Sequence, residues 1–317
     1  VIRALCFSFL TATAAAQSAR PWPVEAVAEN FEVRLVAQDR ATGTAEYASP
    51  HFSIASEINL PVGVVRDLAA VFEATRTAVQ ALPLGLEFRR EPAQYAVRLC
   101  ASTASYGAAG GPVGSGGFFN GREMLVLLPN LGIQAQSTGL RADYTKNLFV
   151  LKHEATHQML APARQPMPTW LNEGLAECIA ATPYVRGRYT FTNFDSAMRD
   201  YLLKWRRTPD RRSLQLLPPA RLLSLRAPDW QQQVAAQGAY DLYNSAALFT
   251  HWLLHHDGRG DAANLAVFLQ ALRERQSPAD AAAQTFLKDR SPEALLQEVQ
   301  TLARRMVLDV RWNPSAQ

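Results

Sequence analysis

No stretch of this 317-residue chain stays apolar long enough to span a bilayer, which takes about 20 consecutive residues. Charge is thin as well. Charged residues make up 19%, and the net charge is only +4. That is a mild basic excess, too weak to argue for nucleic acid as a partner. There is no internal repeat and no long low-complexity tract. Cysteine is rare. Of the 3 cysteines, Cys6 lies near the start. Cys100 and Cys178 then read as two buried small hydrophobes or, in an exported protein, as one disulfide. The glycine-rich stretch GAAGGPVGSGG at 107–117 matches neither GxGxxG nor GxxxxGK[ST]. A phosphate cradle is therefore not supported, and a mobile loop beside a cleft is expected.

What is present is enough apolar sequence, 48%, for one large domain or two lobes. The opening VIRALCFSFLTATAAAQ has Arg3, an apolar run from Ala4 to Leu10, and small residues at Ala14 and Ala16. This is the pattern of a secretory signal peptide over 1–16, cleaved before Gln17, and it predicts a secreted or periplasmic bacterial protein. An N-terminal strand or core helix is the other reading. Residues 17–50 form an irregular or strand-rich lead-in. An α/β lobe is expected over 51–162, with strands at 51–57, 96–102 and 122–129 and a helix at 62–82. The strand REMLVLLP at 122–129 is expected at the edge of the sheet. Helices are predicted at 143–162, 169–182, 193–206, 240–256, 261–274, 279–289 and 291–307, so 163–310 reads as a helical lobe. The basic residues between 185 and 226 are interrupted by Asp195, Asp200 and Asp210 and read as a solvated helical face. The class is α+β.

Two stretches carry chemistry. In HEATHQML at 153–160, His153 and His157 are four apart and share one helix face. They can offer two imidazole nitrogens to one metal ion, and neutral imidazoles suit zinc at about 2.0–2.1 Å. Glu154 projects to the side, where it can reach a water without ligating the metal. Two surface histidines on an amphipathic helix are the alternative. In WLNEGLAECIA at 170–180, Glu173 and Glu177 share a face of an otherwise apolar helix. Like charges at that spacing destabilise an isolated helix by about 0.2–0.5 kcal/mol, and burial raises the cost far beyond that. A cation should therefore face the pair. Gly174 costs a helix about 1 kcal/mol relative to alanine, so another backbone is expected to come close, that of the His153 helix.

Taken together, HEATH and WLNEGLAE resemble the gluzincin zinc metallopeptidases, the thermolysin-like HExxH…E clan. Within it they are similar to bacterial families with a W-L-x-E-G-x-A-E second motif. The metzincin pattern HExxHxxGxxH is excluded, because its third ligand position is Ala163. The resemblance implies that Glu173 is the third zinc ligand and that Glu177 orients His153. The thermolysin-like branch has aspartate at that last place. The stretch YDLYNSAALFTHWLLHH at 240–256 resembles the family helix that carries an oxyanion-binding tyrosine. Tyr243, ahead of Trp252 and Leu253, fits that position; Tyr240 is the fallback, and His251 with His255 a weaker donor pair. Asn244 and Ser245 are expected to cap the start of this helix.

The implied fold is zincin-like. It has an α/β lobe with an edge strand and glycine-rich loop, a mainly helical lobe, and zinc between them. The resemblance covers about residues 50–305, and its specific part is the two motif helices. The implied activity is zinc-dependent hydrolysis of peptide bonds, with Glu154 as general base and a peptide or protein laid along the edge strand. Two other readings stay open at this point. One is a catalytically inactive zinc-bearing binding protein on the same fold. The other is an exported structural protein in which the helix pairs are fortuitous.

Overall fold

Alternation builds the first half of the molecule. The structure is a computed structural model that describes residues 21–28, 30–89, 91–136, 139–142, 147–204, 213–237 and 240–313. The expected signal peptide, its cleavage point at Gln17, and Arg206, Arg207, Asp210, Arg211 and Arg212 lie outside the described residues. Short strand β1 (Glu25–Val27) precedes β2 (Arg34–Asp39), β3 (Thr44–Ala48) and β4 (Phe52–Ser56). In β4, Phe52, Ile54 and Ser56 point inward and Ser53 and Ala55 outward, as a half-buried strand requires. Helix α1 (Val62–Ala81) turns Val65, Leu68, Ala69 and Phe72 to the core. It stops because Leu82 precedes Pro83 and takes an extended ψ of 136°. Strand β5 (Tyr95–Cys100), helix α2 (Thr103–Ala108), β6 (Gly117–Phe119) and β7 (Glu123–Leu127) follow.

The main sheet is mixed, in the order β2-β3-β4-β5-β7-β6. Strands β4, β5 and β7 run parallel, and the remaining pairs are antiparallel. This corrects one expectation. The strand within REMLVLLP, β7, is interior. The edge on that side is β6, made from the end of the glycine-rich stretch, which folds back at Gly121 (φ +89°). Asn120 Oδ1 closes that turn by accepting from the N–H groups of Arg122 and Glu123, each at 3.0 Å. The rest of the stretch is packed. Tyr106 hydrogen-bonds Ser115 at 2.7 Å, and a Cβ on Gly111 would lie 2.2 Å from the Tyr106 ring.

A small hairpin, β8 (Ile133–Gln136) and β9 (Gly139–Ala142), leads to α3 (Leu148–Leu160) and α4 (Thr169–Ala181). The chain beyond α4 is not purely helical. Strands β10 (Tyr184–Val185) and β11 (Arg188–Thr190) form a hairpin, and β1 adds antiparallel to β11. After α5 (Phe194–Lys204), strand β12 (Ser213–Leu216) pairs in parallel with the C-terminal β13 (Asp309–Trp312). Between these strands lie α6 (Pro219–Ser224), α7 (Ala227–Gln237), α8 (Tyr240–His255), α9 (Ala263–Arg273), α10 (Pro278–Gln284) and α11 (Pro292–Arg305). Helix α4 packs between α3 and α8, and α3 also packs on α1 and β6. One large core joins the sheet to α1, α3, α4 and α8. A smaller core of Cys100, Tyr106, Leu125 and Leu127 sits beneath α2. Cys100 and Cys178 are both unpaired thiols. No helix among the described residues is long and apolar enough to cross a membrane.

Candidate metal centre

Helix α3 buries Leu151, Ala155 and Met159 and leaves His153, Glu154 and His157 on the side that meets the cleft. Lys152 fixes how α3 lies on α4. Its Nζ is buried and donates to Ala180 O and Thr182 O, each at 2.6 Å. These carbonyls belong to the last turn of α4, where helix carbonyls lack partners and a cation is favoured. Burial pushes the Lys152 pKa down to about 7.

Helix α4 is held from its other side by α8. A Cβ on Gly174 would lie 2.0 Å from Thr250 Oγ1 and 2.7 Å from the Ala246 carbonyl oxygen. The close approach at Gly174 is therefore to α8, not to the His153 helix as expected. Glycine on one side of α4 admits α8, which leaves Glu173 and Glu177 to face α3.

Glu173 Oε2 lies 3.3 Å from His153 Nε2 and 3.2 Å from His157 Nε2, and the two Nε2 atoms are 3.0 Å apart. The three donor atoms lie within 4.8 Å of one another. Glu173 Oε2 is buried and makes no hydrogen bond, and the same holds for His157 Nδ1. The three side chains thus crowd their ligating atoms into one small volume. Glu177 Oε1 is 3.2 Å from His153 Nδ1, and its Oε2 accepts from the hydroxyl of Tyr201 on α5. A carboxylate on Nδ1 fixes the tautomer and leaves the Nε2 lone pair to ligate.

The electrostatics point the same way. Burial opposes charge on His153, but Glu177, Glu173 and Glu154 override it and hold the imidazole pKa well above its ordinary value. Burial likewise opposes ionisation of Glu173, yet the charge of His157 and the approach of both imidazoles bring its pKa down to about 2. Three carboxylates around two imidazoles make a site short of positive charge. Two nitrogens and one carboxylate oxygen suit zinc, whereas calcium and magnesium prefer oxygen alone. Such an ion would satisfy the buried Glu173 Oε2 together with the two imidazole nitrogens beside it.

Glu154 stands beside this set. Its Oε2 accepts from the Phe119 N–H of β6 at 2.9 Å. Tyr243 on α8 closes the opposite wall, with its ring centroid 6.0 Å from that of His153 and the rings edge to face. Burial, then the charges of Glu173, Glu154 and Glu177, push its pKa up, so it remains a protonated phenol, and the Trp230 side chain hydrogen-bonds it. Tyr240 is exposed and does not line the cleft. The cleft holds about 480 Å³ and is walled by Phe118, Phe119, Leu160, Met167 and Asn172 above the ligand set. A larger groove of about 790 Å³ around Arg66, Tyr184 and Arg186 contains none of the ligand set.

His251 and His255 are not in the cleft, which corrects their place as alternative donors. His251 is 2% exposed and donates from Nε2 to Asp195 Oδ1 at 2.9 Å. His256 Nε2 meets the same oxygen at 2.7 Å. Asp195, His251 and His256 are close enough to hold an ion, but Arg305 decides against it. Its Nη2 donates to His256 Nδ1 at 2.7 Å. The hydrogen of a neutral His256 must then sit on Nε2, which leaves no lone pair there for a metal. Asn244 and Ser245 do not cap α8 either. Both are buried inside it, and Ser245 Oγ accepts from Leu217 N–H at 2.8 Å.

Sequence reasoning missed Lys152, Tyr201, Trp230 and the Phe119 N–H. Lys152 left one signal, a charge on the inward face of a helix. The other three are brought in by tertiary packing. Neither a scan against protein-family models nor a search of curated proteins finds a match to this chain. The functional reading therefore rests on the site itself.

Proposed function

We propose that the chain is a zinc-dependent peptidase of gluzincin type. One observation carries the reading. His153, His157 and a buried oxygen of Glu173 lie within 4.8 Å of one another, while the neighbouring carboxylate, Glu154, accepts from a backbone donor of β6. Zinc held by the three residues would polarise a scissile carbonyl and bring the pKa of a water toward about 7. Glu154 takes that water's proton and passes it to the leaving amine. Tyr243, kept protonated by its surroundings, donates to the oxyanion. An extended peptide pairs with the outward backbone groups of β6 that Glu154 leaves open. The zincin-like arrangement is supported by the position of the ligand set, between the sheet with α3 and the helices α4, α5 and α8. The pattern over 1–16 supports export, and N-terminal sequencing of secreted material should then begin at Gln17; an intact Val1 on cytoplasmic protein would refute it.

Exposure of a peptide library to the purified protein tests the activity. Cleavage is expected from the wild type. Glu154→Gln should bind zinc and cleave nothing. Zinc binding without cleavage by the wild type would instead describe an inactive binding protein.

A further inference from the structure

The glycine-rich stretch ends where the sheet touches the histidine helix. Backbone bonding along an antiparallel hairpin alternates between inward and outward residues. In the β6–β7 hairpin, Leu127 N–H donates to Gly116 O at 3.0 Å and Asn120 N–H to Glu123 O at 3.2 Å. Phe118 faces Leu125 in register between them. Residues 116, 118 and 120 therefore direct their backbone groups to β7, and Gly117 and Phe119 turn theirs to the open edge. There the Phe119 N–H meets Glu154 Oε2 at 2.9 Å. Gly117 makes the approach possible. A Cβ at Gly117 would lie 2.8 Å from Val150 Cγ1 and 3.0 Å from Glu154 Cγ, both on α3.

We infer that the Phe119 N–H is a positioning group for Glu154, supplied by the sheet edge and admitted by Gly117. The physical need is plain. Glu154 sits next in sequence to His153, on a long side chain with three rotatable bonds, and a cation in the site would draw its carboxylate into ligation. An N–H fixed in a sheet resists that pull, because a hydrogen bond to a carboxylate is among the stronger ones. One oxygen is pinned and the other is left to take a proton. The catalytic meaning of this contact rests on the peptidase reading; the contact itself does not.

Placing phenyllactate at position 119 by nonsense suppression replaces the amide by an ester and deletes the N–H while keeping the ring. With the positioning role, kcat falls by about 10–100-fold, KM stays near the wild-type value, and zinc content is unchanged. Phe119→Leu, which keeps the N–H but alters the cleft wall, lowers kcat less than the ester does. Gly117→Ala, which forces β6 off α3, lowers kcat in the same way and guards against an ester variant that fails to fold. An ester variant with wild-type kcat, or one that loses zinc, overturns the inference. Hydrogen exchange provides a readout that needs no turnover. The Phe119 amide is protected in the wild type and exchanges faster in Glu154→Ala, and unchanged exchange overturns the contact. A wild type that cleaves nothing yet shows this exchange difference would refute the peptidase reading and uphold the contact.

Discussion

Glu177 is a buried carboxylate. It is tolerable because each oxygen has a partner, His153 Nδ1 on one side and the Tyr201 hydroxyl on the other. Removing it frees the imidazole to rotate. Glu177→Ala is therefore expected to weaken zinc binding by about 10–100-fold without abolishing it. Tyr201→Phe should act in the same direction but less, because the His153 contact survives. Glu173→Ala, which deletes a ligand, should lose most of the metal. A competitive chelator titration on the three variants checks this order, and a Glu177→Ala protein with wild-type affinity would break it. Tyr243→Phe should keep zinc and lower kcat by about 10²–10³ if the phenol carries the oxyanion alone, while the exposed Tyr240→Phe leaves kcat unchanged. At this scale the sequence was informative where chemistry depends on local spacing. His153 and His157 are one helical turn apart, as are Glu173 and Glu177, and a helix fixes what lies four residues away. Tyr201 and the Phe119 N–H carry no such mark. One arrives through the docking of α5 on α4, and the other is a backbone group that any residue possesses.

Elements depend on contacts that sequence periodicity does not assign to partners. The apolar spacing of α1, α4 and α8 was legible, and so was the demand of Gly174 for a close neighbour. Which neighbour was not, since two helices flank α4 and both are apolar. Gly174→Ala should destabilise the fold by about 1–3 kcal/mol in urea titration, despite alanine's better helix propensity, because one of the atoms in its way is a backbone carbonyl. Adding Thr250→Ala should recover part of the loss and not all of it. The edge strand β6 escaped notice because three residues beginning with glycine show no alternation, whereas interior β7 reads as a strong strand. The C-terminal end of α8 makes a pH prediction. His255 stacks on Phe194 at 3.8 Å, and burial, reinforced by His251 and His256, brings its pKa down to about 2. His251 is shifted down as well, by burial that outweighs Asp195. The unfolded chain takes up these protons near pH 6.5 and the native state does not. Stability therefore falls as pH drops below about 6.5, by up to about 1.4 kcal/mol per unit for each fully buried group. Urea titrations at pH 7 and pH 5 should show this slope, and His255→Phe should flatten it. A His255→Phe protein with the same pH slope as the wild type would contradict the burial of that ring.

Across the whole molecule, the α+β class followed from a strand-rich first half and a helix-rich second half. The closures between halves did not. Strand β1 pairs with β11, and β12 pairs with β13 near the C-terminus. Both join segments far apart in sequence, where short strands offer no local sign of their partner. The candidate metal centre is likewise a product of assembly. The sheet edge supplies the donor to Glu154, α3 the histidines, α4 the carboxylate beside them, and α8 the tyrosine. The central claim is that this assembly hydrolyses peptides only with zinc in place. It is tested most directly by stripping the purified protein with a chelator and following peptide cleavage as zinc is returned. The account predicts no cleavage from the stripped protein and full recovery at one zinc per chain. Cleavage that survives stripping, or a zinc-loaded protein that cleaves no peptide, would contradict it.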